Sequence, residues 1–203
     1  MKNRLWLFIV LVLMFAAASC ATTTLQRVWK DPDLKMGTIR KMMVVGIAKE
    51  PATRRLFEDS FAQSLAAHGV SVIKSYEVMT LEELNGREGA AEKIRALGAE
   101  AVLATRLVSQ ETYETYDQRP YGVWRGYYGM SYSSLVAAGY IQSNEVARLE
   151  TNVYDIKTEK RAWAALSDTW MDMAELDRLI TDFSAVMVRR MTKDGLIPAA
   201  EKK

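Results

Sequence analysis

Residues 42–48, Met-Met-Val-Val-Gly-Ile-Ala, form a continuous apolar run of strand length, the texture of a strand buried on both faces. From Ala52 to Ala67 the pattern becomes helical: Phe57, Phe61 and Leu65 recur at spacing four with Leu56 beside them, and Gly69 stops the helix. Val70 to Ile73 reads as a second strand. Leu81 to Leu97 holds a short acidic helical start, a break at Asn85-Gly86 and a second helix from about Gly89 to Gly98. Ala101 to Thr105 opens a third strand that can run on to Glu111. Residues 144–156 alternate again around Val146, Leu149, Val153 and Ile156. Asp155 to Lys160 is a hairpin turn, and Ala162 to Leu166 returns as the last strand. Leu176, Ile180, Phe183, Met187 and Met191 make a closing helical stripe ended by Gly195 and Pro198.

The resulting order, β-α-β-α-β-β-β-α, predicts an α/β fold with α+β character: a single mixed sheet with helices packed on it. Strands joined through helices pair in parallel, and the hairpin is antiparallel. Without long linkers or repeats, residues 39–195 read as one domain and 196–203 as a polar tail.

The first residues follow a different logic. Lys2 and Arg4 make a positive tip, Leu5 to Ala18 is uninterrupted apolar chain, and small residues lead to Cys20. That is the build of a signal peptide over residues 1–19, and the apolar stretch is short of the about 20 residues a membrane span needs. Ala17-Ala18-Ser19-Cys20 resembles the lipobox of bacterial lipoproteins. The resemblance implies cleavage before Cys20 and acylation of its thiol, which also accounts for a sole cysteine in an exported chain. Two or more acyl chains anchor a protein stably. Ala21 follows the cysteine where an aspartate marks inner-membrane retention in many such proteins, so the expected location is the outer membrane, facing the periplasm. Residues 20–38 are expected to be a lipid-anchored tether, with Asp31-Pro32-Asp33 as a turn and Trp29 packing onto the domain's edge.

Removing the signal leaves 25 Lys+Arg, the 27 of the chain minus Lys2 and Arg4, against 25 Asp+Glu. A neutral mature chain carries no electrostatic footprint for nucleic acid and no polybasic lipid patch. With its only cysteine at the lipobox, the fold holds by packing alone.

Candidate chemistry is sparse. His68, the sole histidine, falls at the end of the first helix and reads as a cap, because no cysteine or second histidine exists to build a dyad or a zinc site. Gly129-Met130-Ser131-Tyr132-Ser133 lacks the final glycine and the strand–turn–helix setting of a nucleophile elbow. Glu58/Asp59 and Glu82/Glu83 are sequence neighbours that point apart on a helix. No catalytic residue, metal ligand or cofactor site is assigned, and the chain reads as non-enzymatic.

One stretch is unusual. Residues 113–140 hold seven of the nine tyrosines, Trp124, Pro120 and four glycines, with no clear period. Tyr and Trp offer rigid contact area with a polar tip, which marks Tyr113, Tyr116, Tyr121, Trp124, Tyr127, Tyr128 and Tyr132 as the candidate partner-contact residues. The bland reading is a loop covering one sheet edge. Leu135 to Ile141 is too short for a barrel strand of about 9–11 residues.

Arg54-Arg55-Leu56-Phe57-Glu58-Asp59, Leu65-Ala66-Ala67-His68-Gly69-Val70, Ser75-Tyr76, Leu97-Gly98-Ala99-Glu100-Ala101-Val102-Leu103 and Tyr154 to Trp163 together resemble a group of bacterial, mostly outer-membrane lipoproteins of unknown function. More distantly they are similar to the α/β domain of the curli-secretion lipoprotein, of penicillin-binding-protein activator lipoproteins and of the N-terminal domain of the Tol-system translocation protein. The resemblance spans roughly residues 29–190. It implies an α/β fold with Trp163 in the sheet under a helix, and it names no activity. The expected function is therefore a lipid-anchored, non-enzymatic binding or accessory domain that contacts a protein or cell-wall component of the envelope. The alternative is an oligomeric export or pore component of the outer membrane, and the third is an envelope enzyme with an unrecognised site.

Overall fold

A computed structural model describes residues 23–32, 38–85, 89–108, 146–170 and 175–200. Six strands form one mixed sheet: β1 (Thr23–Lys30), β2 (Lys41–Ile47), β3 (Ser71–Lys74), β4 (Ala101–Val108), β5 (Val146–Asp155) and β6 (Arg161–Trp170). The helices are α1 (Pro51–Ala66), α2 (Ser75–Val78), α3 (Leu81–Asn85), α4 (Ala90–Ala96) and α5 (Leu176–Lys193). The strand order is β1-β6-β5-β4-β2-β3. Strand β2 pairs in parallel with β3 and β4, while β4–β5, β5–β6 and β1–β6 are antiparallel. The α/β sheet that the hydrophobic pattern predicts is the fold of the chain.

Both faces of β2 are buried, as its unbroken apolar run requires. Met42 and Val44 face a core with Phe61, Leu65, Trp163, Phe183, Met187 and Met191, under α1 and α5. Met43, Val45 and Ile47 face a second core with Leu84, Ile94, Val102 and Tyr154, under α2 to α4. The two long helices lock through aromatic edges, with the Phe183 ring 5.7 Å from Phe61 and 5.9 Å from Phe57 at near-perpendicular angles. Trp163 is fully buried beneath α5, and its Nε1–H donates to Asp194 at the helix end over 2.8 Å.

The structure corrects two boundaries. Thr23–Lys30, inside the expected tether, is an edge strand of the sheet, paired from Thr23↔Thr169 to Lys30↔Trp163. Trp29 accordingly belongs to the sheet, with the Arg161 guanidinium 5.1 Å from its ring centroid. The pattern hid this strand because a bulge places Gln26 as an extra residue between Leu25 and Arg27, so Leu25 and Val28 pack on one core three positions apart. At the other terminus the expected polar tail begins late. Leu196 and Ile197 are buried in the first core, and the Leu196 carbonyl accepts the Ile39 amide at 2.8 Å. Gly195, at φ 76°, turns the chain back there, with the Leu196 amide donating to Met191 and the Gly195 amide to Thr192.

Candidate functional site: the open end of the sheet

Strand directions sort the connections onto two ends. At the closed end lie the 155–160 turn and the C-termini of α1, α4 and α5. At the open end lie the start of β1 and of β5, the last residues of β2, β4 and β6, and the first residues of α1 and α5. Strand β2 leaves the open end through α1 to reach β3 on one side. The path from β3 to β4, on its other side, runs through α2 to α4. This reversal of direction is the topological switch point where open α/β sheets receive their ligands, outside the carboxyl ends of parallel strands.

The floor of that end is a buried ionic clamp. Glu58 is fully buried on α1; its Oε1 accepts from the Gly46 amide (3.1 Å), Arg54 Nε (3.0 Å) and Ser75 Oγ (2.6 Å). Its Oε2 accepts the Tyr76 amide at 2.9 Å. Arg54 turns its Nη2 to Ser75 Oγ (2.7 Å) and the Met79 carbonyl (3.2 Å). The clamp thus ties the last turn of β2 to α1 and to the β3–α2 corner. Gly46 is required by closeness: a Cβ there would stand 3.0 Å from the Arg54 carbonyl oxygen and 3.2 Å from Phe57 Cβ. Both carboxylate oxygens of Glu58 accept from scaffold donors, Oε1 from three and Oε2 from the Tyr76 amide, so the group holds the architecture together.

Over β4, β5 and β6 the open end is ruled by matched ion pairs. Arg106 Nε meets Glu150 at 2.7 Å, and Arg148 grips Asp168 with two bonds of 2.7 and 2.9 Å. In the next row Asn152 lies between Ala104 and Ala164, fully buried, and neither atom of its amide has a hydrogen-bond partner among the described residues. On the β3 edge, Lys74 binds Glu77 (2.6 Å), Tyr76 (2.9 Å) and Asp59 (3.1 Å), contacts that together hold its ammonium well above the ordinary lysine range. The Lys74 ammonium pulls the Tyr76 hydroxyl down, yet burial and the neighbouring Asp59 carboxylate leave it raised.

Cys20 and Tyr113, Tyr116, Tyr121, Trp124, Tyr127, Tyr128 and Tyr132 lie outside the described residues. What the structure does place is the root of the aromatic segment. Strands β4 and β5 stay paired up to Val108↔Arg148, so residues 109–145 leave from and return to neighbouring positions at the open end. His68 sits in the turn after α1, where its Nδ1–H donates to the Ser64 carbonyl at 3.0 Å, a local role. No three His, Cys, Asp or Glu among the described residues are grouped to hold a metal ion.

No protein-family model matches the chain, and no curated protein does. Among solved structures it is similar to the PelC dodecamer from Paraburkholderia phytofirmans. A point variant of that protein gives 16% identity and a TM-score of 0.47, covering 87% of this chain and 99% of that one. A second crystal form gives 16% identity and a TM-score of 0.45 over the same shares of both chains.

Glu58 is followed by Asp59, which points away from it on the helix, and its partner lies one turn back: Arg54 and Glu58 stand at spacing four on the same helix as Phe57 and Phe61, an arrangement that lets both charges be buried together. The Arg106–Glu150 and Arg148–Asp168 pairs had no comparable local signal, since each joins residues on different strands.

Proposed function

We propose that the chain is a lipid-anchored envelope protein, held by Cys20 in the outer membrane on its periplasmic side, whose α/β domain binds a partner and catalyses nothing. The observation that carries this reading is the paired base of β4 and β5, which presents residues 109–145 from a rigid sheet end at the switch point. Contact residues mounted on a fixed scaffold lose little freedom on binding, which favours recognition. The way Glu58 and Arg54 are consumed inside the clamp supports binding over chemistry. Tyr113, Tyr116, Tyr121, Trp124, Tyr127, Tyr128 and Tyr132 are the contact residues of this reading, with Trp124 and a few tyrosines dominating as aromatic hot spots do.

The test replaces residues 117–140 by a short Gly/Ser linker. The shortened domain should unfold cooperatively near its original midpoint, since loop length alone costs little, while proximity crosslinks to its envelope partner disappear. Retained crosslinks and cellular function would move the binding surface elsewhere. Measuring the mass of the detergent-extracted protein in the same preparation separates this reading from an oligomeric export or pore component, which requires a closed ring. Cys20→Ser should leave the N-terminus without acyl mass and the protein outside the membrane fraction.

A further inference from the structure

We propose that the open end of the sheet rests on the surface of the bilayer that carries the anchor, with the strands pointing away from it. This rests on the reading of Cys20 as the acylated residue. The argument begins with chain length. Strand β1 starts at Thr23, three residues beyond Cys20. Three extended residues span at most about 11 Å. The headgroup layer itself is roughly 5–7 Å deep on each side of the hydrocarbon, so Thr23 cannot stand far from it.

Nothing at Thr23 provides a hinge. Thr23 is 4% exposed, its Oγ1 lies 2.9 Å from Thr169 Oγ1, and the pairing with β6 begins at this very residue. Thr23 moves with the sheet, so whatever holds Thr23 close to the membrane holds this corner of the open end close to it. The ends of β4 and β6, the start of β5 and the starts of α1 and α5 lie at this same end.

The surface so presented suits lipid. Among the described residues Arg106 is paired with Glu150, Arg148 with Asp168 and Arg178 with Glu175, and exposed Lys49 and Arg55 share this end with exposed Glu50 and Asp177. Pro51 and Ala52 are exposed, and Val108, Val146 and Leu176 are half-buried around them. A partly apolar rim whose charges are of both signs and largely paired can approach headgroups at a lower desolvation cost than a rim of one charge sign. The exposed Lys157 and Lys160 of the turn and Lys193 at the end of α5 lie at the closed end, about 30 Å away along a ten-residue strand. One consequence for binding follows: a partner of residues 109–145 must offer its site at the membrane surface, because both ends of that segment are held there.

The experiment uses the full-length, membrane-extracted protein in vesicles of phosphatidylethanolamine with a minority of phosphatidylglycerol. A photoreactive benzoylphenylalanine is placed singly at Ala52 or Glu175 on the open end, and at Lys157 or Lys160 on the closed end. None of these positions is near Cys20 in sequence, and all are exposed. Irradiation should give lipid adducts at Ala52 and Glu175 several-fold above those at Lys157 and Lys160. Equal yields at the two ends, or a reversed ratio, on protein whose N-terminal peptide carries acyl mass would overturn the docking and leave the anchor standing. Absence of acyl mass on that peptide would overturn the Cys20 reading and this orientation with it.

Discussion

At the closed end, the starts of β2 and β4 and the end of β1 are tied to helix C-termini and their flanks by polar bonds that reach as far as 164 positions along the chain. Glu100 accepts the Arg40 and Lys41 amides, Lys41 Nζ donates to the Leu97 carbonyl, and Lys30 Nζ donates to that of Asp194. Asp155 accepts the Lys157 and Thr158 amides and the Thr158 hydroxyl. At the open end the polar bonds of the Arg54–Glu58 clamp are buried and join residues only 4 to 25 positions apart, and the rim is left to strand termini and paired charges. The lesson is a division of labour: one end uses its polar groups to tie strand ends to distant helix ends and to close a turn, whereas the other keeps a buried floor beneath its rim. Such a floor lets surface residues change without moving the sheet.

The sharpest way to break that contrast is to remove the floor. Glu58→Ala leaves the Arg54 guanidinium buried without its carboxylate and should cost about 3–5 kcal/mol, read from denaturant midpoints. A loss near that of a surface change, under roughly 1 kcal/mol, would mean the clamp is not structural. Phe183→Ala should cost about 3–5 kcal/mol as well, because it empties a site between Phe57 and Phe61. It serves as a reference that weakens the core without favouring either end.

Two glycines then compare the ends directly. Gly46→Ala forces a Cβ toward the Arg54 carbonyl oxygen at 3.0 Å, so an overpacking cost of about 1–3 kcal/mol is expected. Gly195→Ala meets nothing within 4 Å and pays only for its φ of 76°, about 1 kcal/mol. If the two substitutions cost the same, close helix–strand approach at the open end is not what selects Gly46. Asn152→Val should be neutral or stabilising by about 1 kcal/mol, since it removes an amide with no partner among the described residues. Thermal denaturation showing a clear loss would reveal a partner for that amide.

The smallest effect lies between the ends, on the connection from β3 to β4. Thr80 and Glu83 form a capping box, with Thr80 N donating to Glu83 at 2.7 Å and Glu83 N to Thr80 Oγ1 at 3.1 Å. The Lys93 ammonium, then the Thr80 amide, hold the Glu83 carboxyl below its ordinary 4.5. A depressed folded value means the stabilisation is present above the unfolded value and is lost as pH falls through the folded one. Protection factors of the α3 amides, the intrinsic rate at each pH divided by the observed rate, should therefore fall as the solution is acidified below about 4.5, and Glu83→Gln should abolish that dependence. Protection at α3 that stays constant across this range would remove the capping box from the account.

The elements legible in the sequence were those whose periodicity is local and unbroken. Strand β2 shows its two buried faces as one apolar run, and α5 shows its buried stripe at helical spacing. Strand β1 was illegible because the bulge at Gln26 shifts its alternation, and Leu196-Ile197 because Gly195 reads as an ending where the chain in fact turns back into the core. The same limit governs the site. Arg54 and Glu58 could be read from one helix, but the Arg148–Asp168 grip exists only once β5 and β6 are in register. The open end as a place was not visible at all, because it is a product of strand order.

Strand β1 also sets an order of events in folding. Thr23 finds Thr169 across 146 positions, and among the described strands β1 pairs only with β6. The nucleus must therefore form elsewhere, from contacts closer along the chain, because closing so long a loop early costs entropy before any contact rewards it. Strand β1 adds last, as a latch on a sheet already built. Until β6 has emerged and paired with β5, β1 has no strand to join among the described ones, and its backbone donors and acceptors stay open to water.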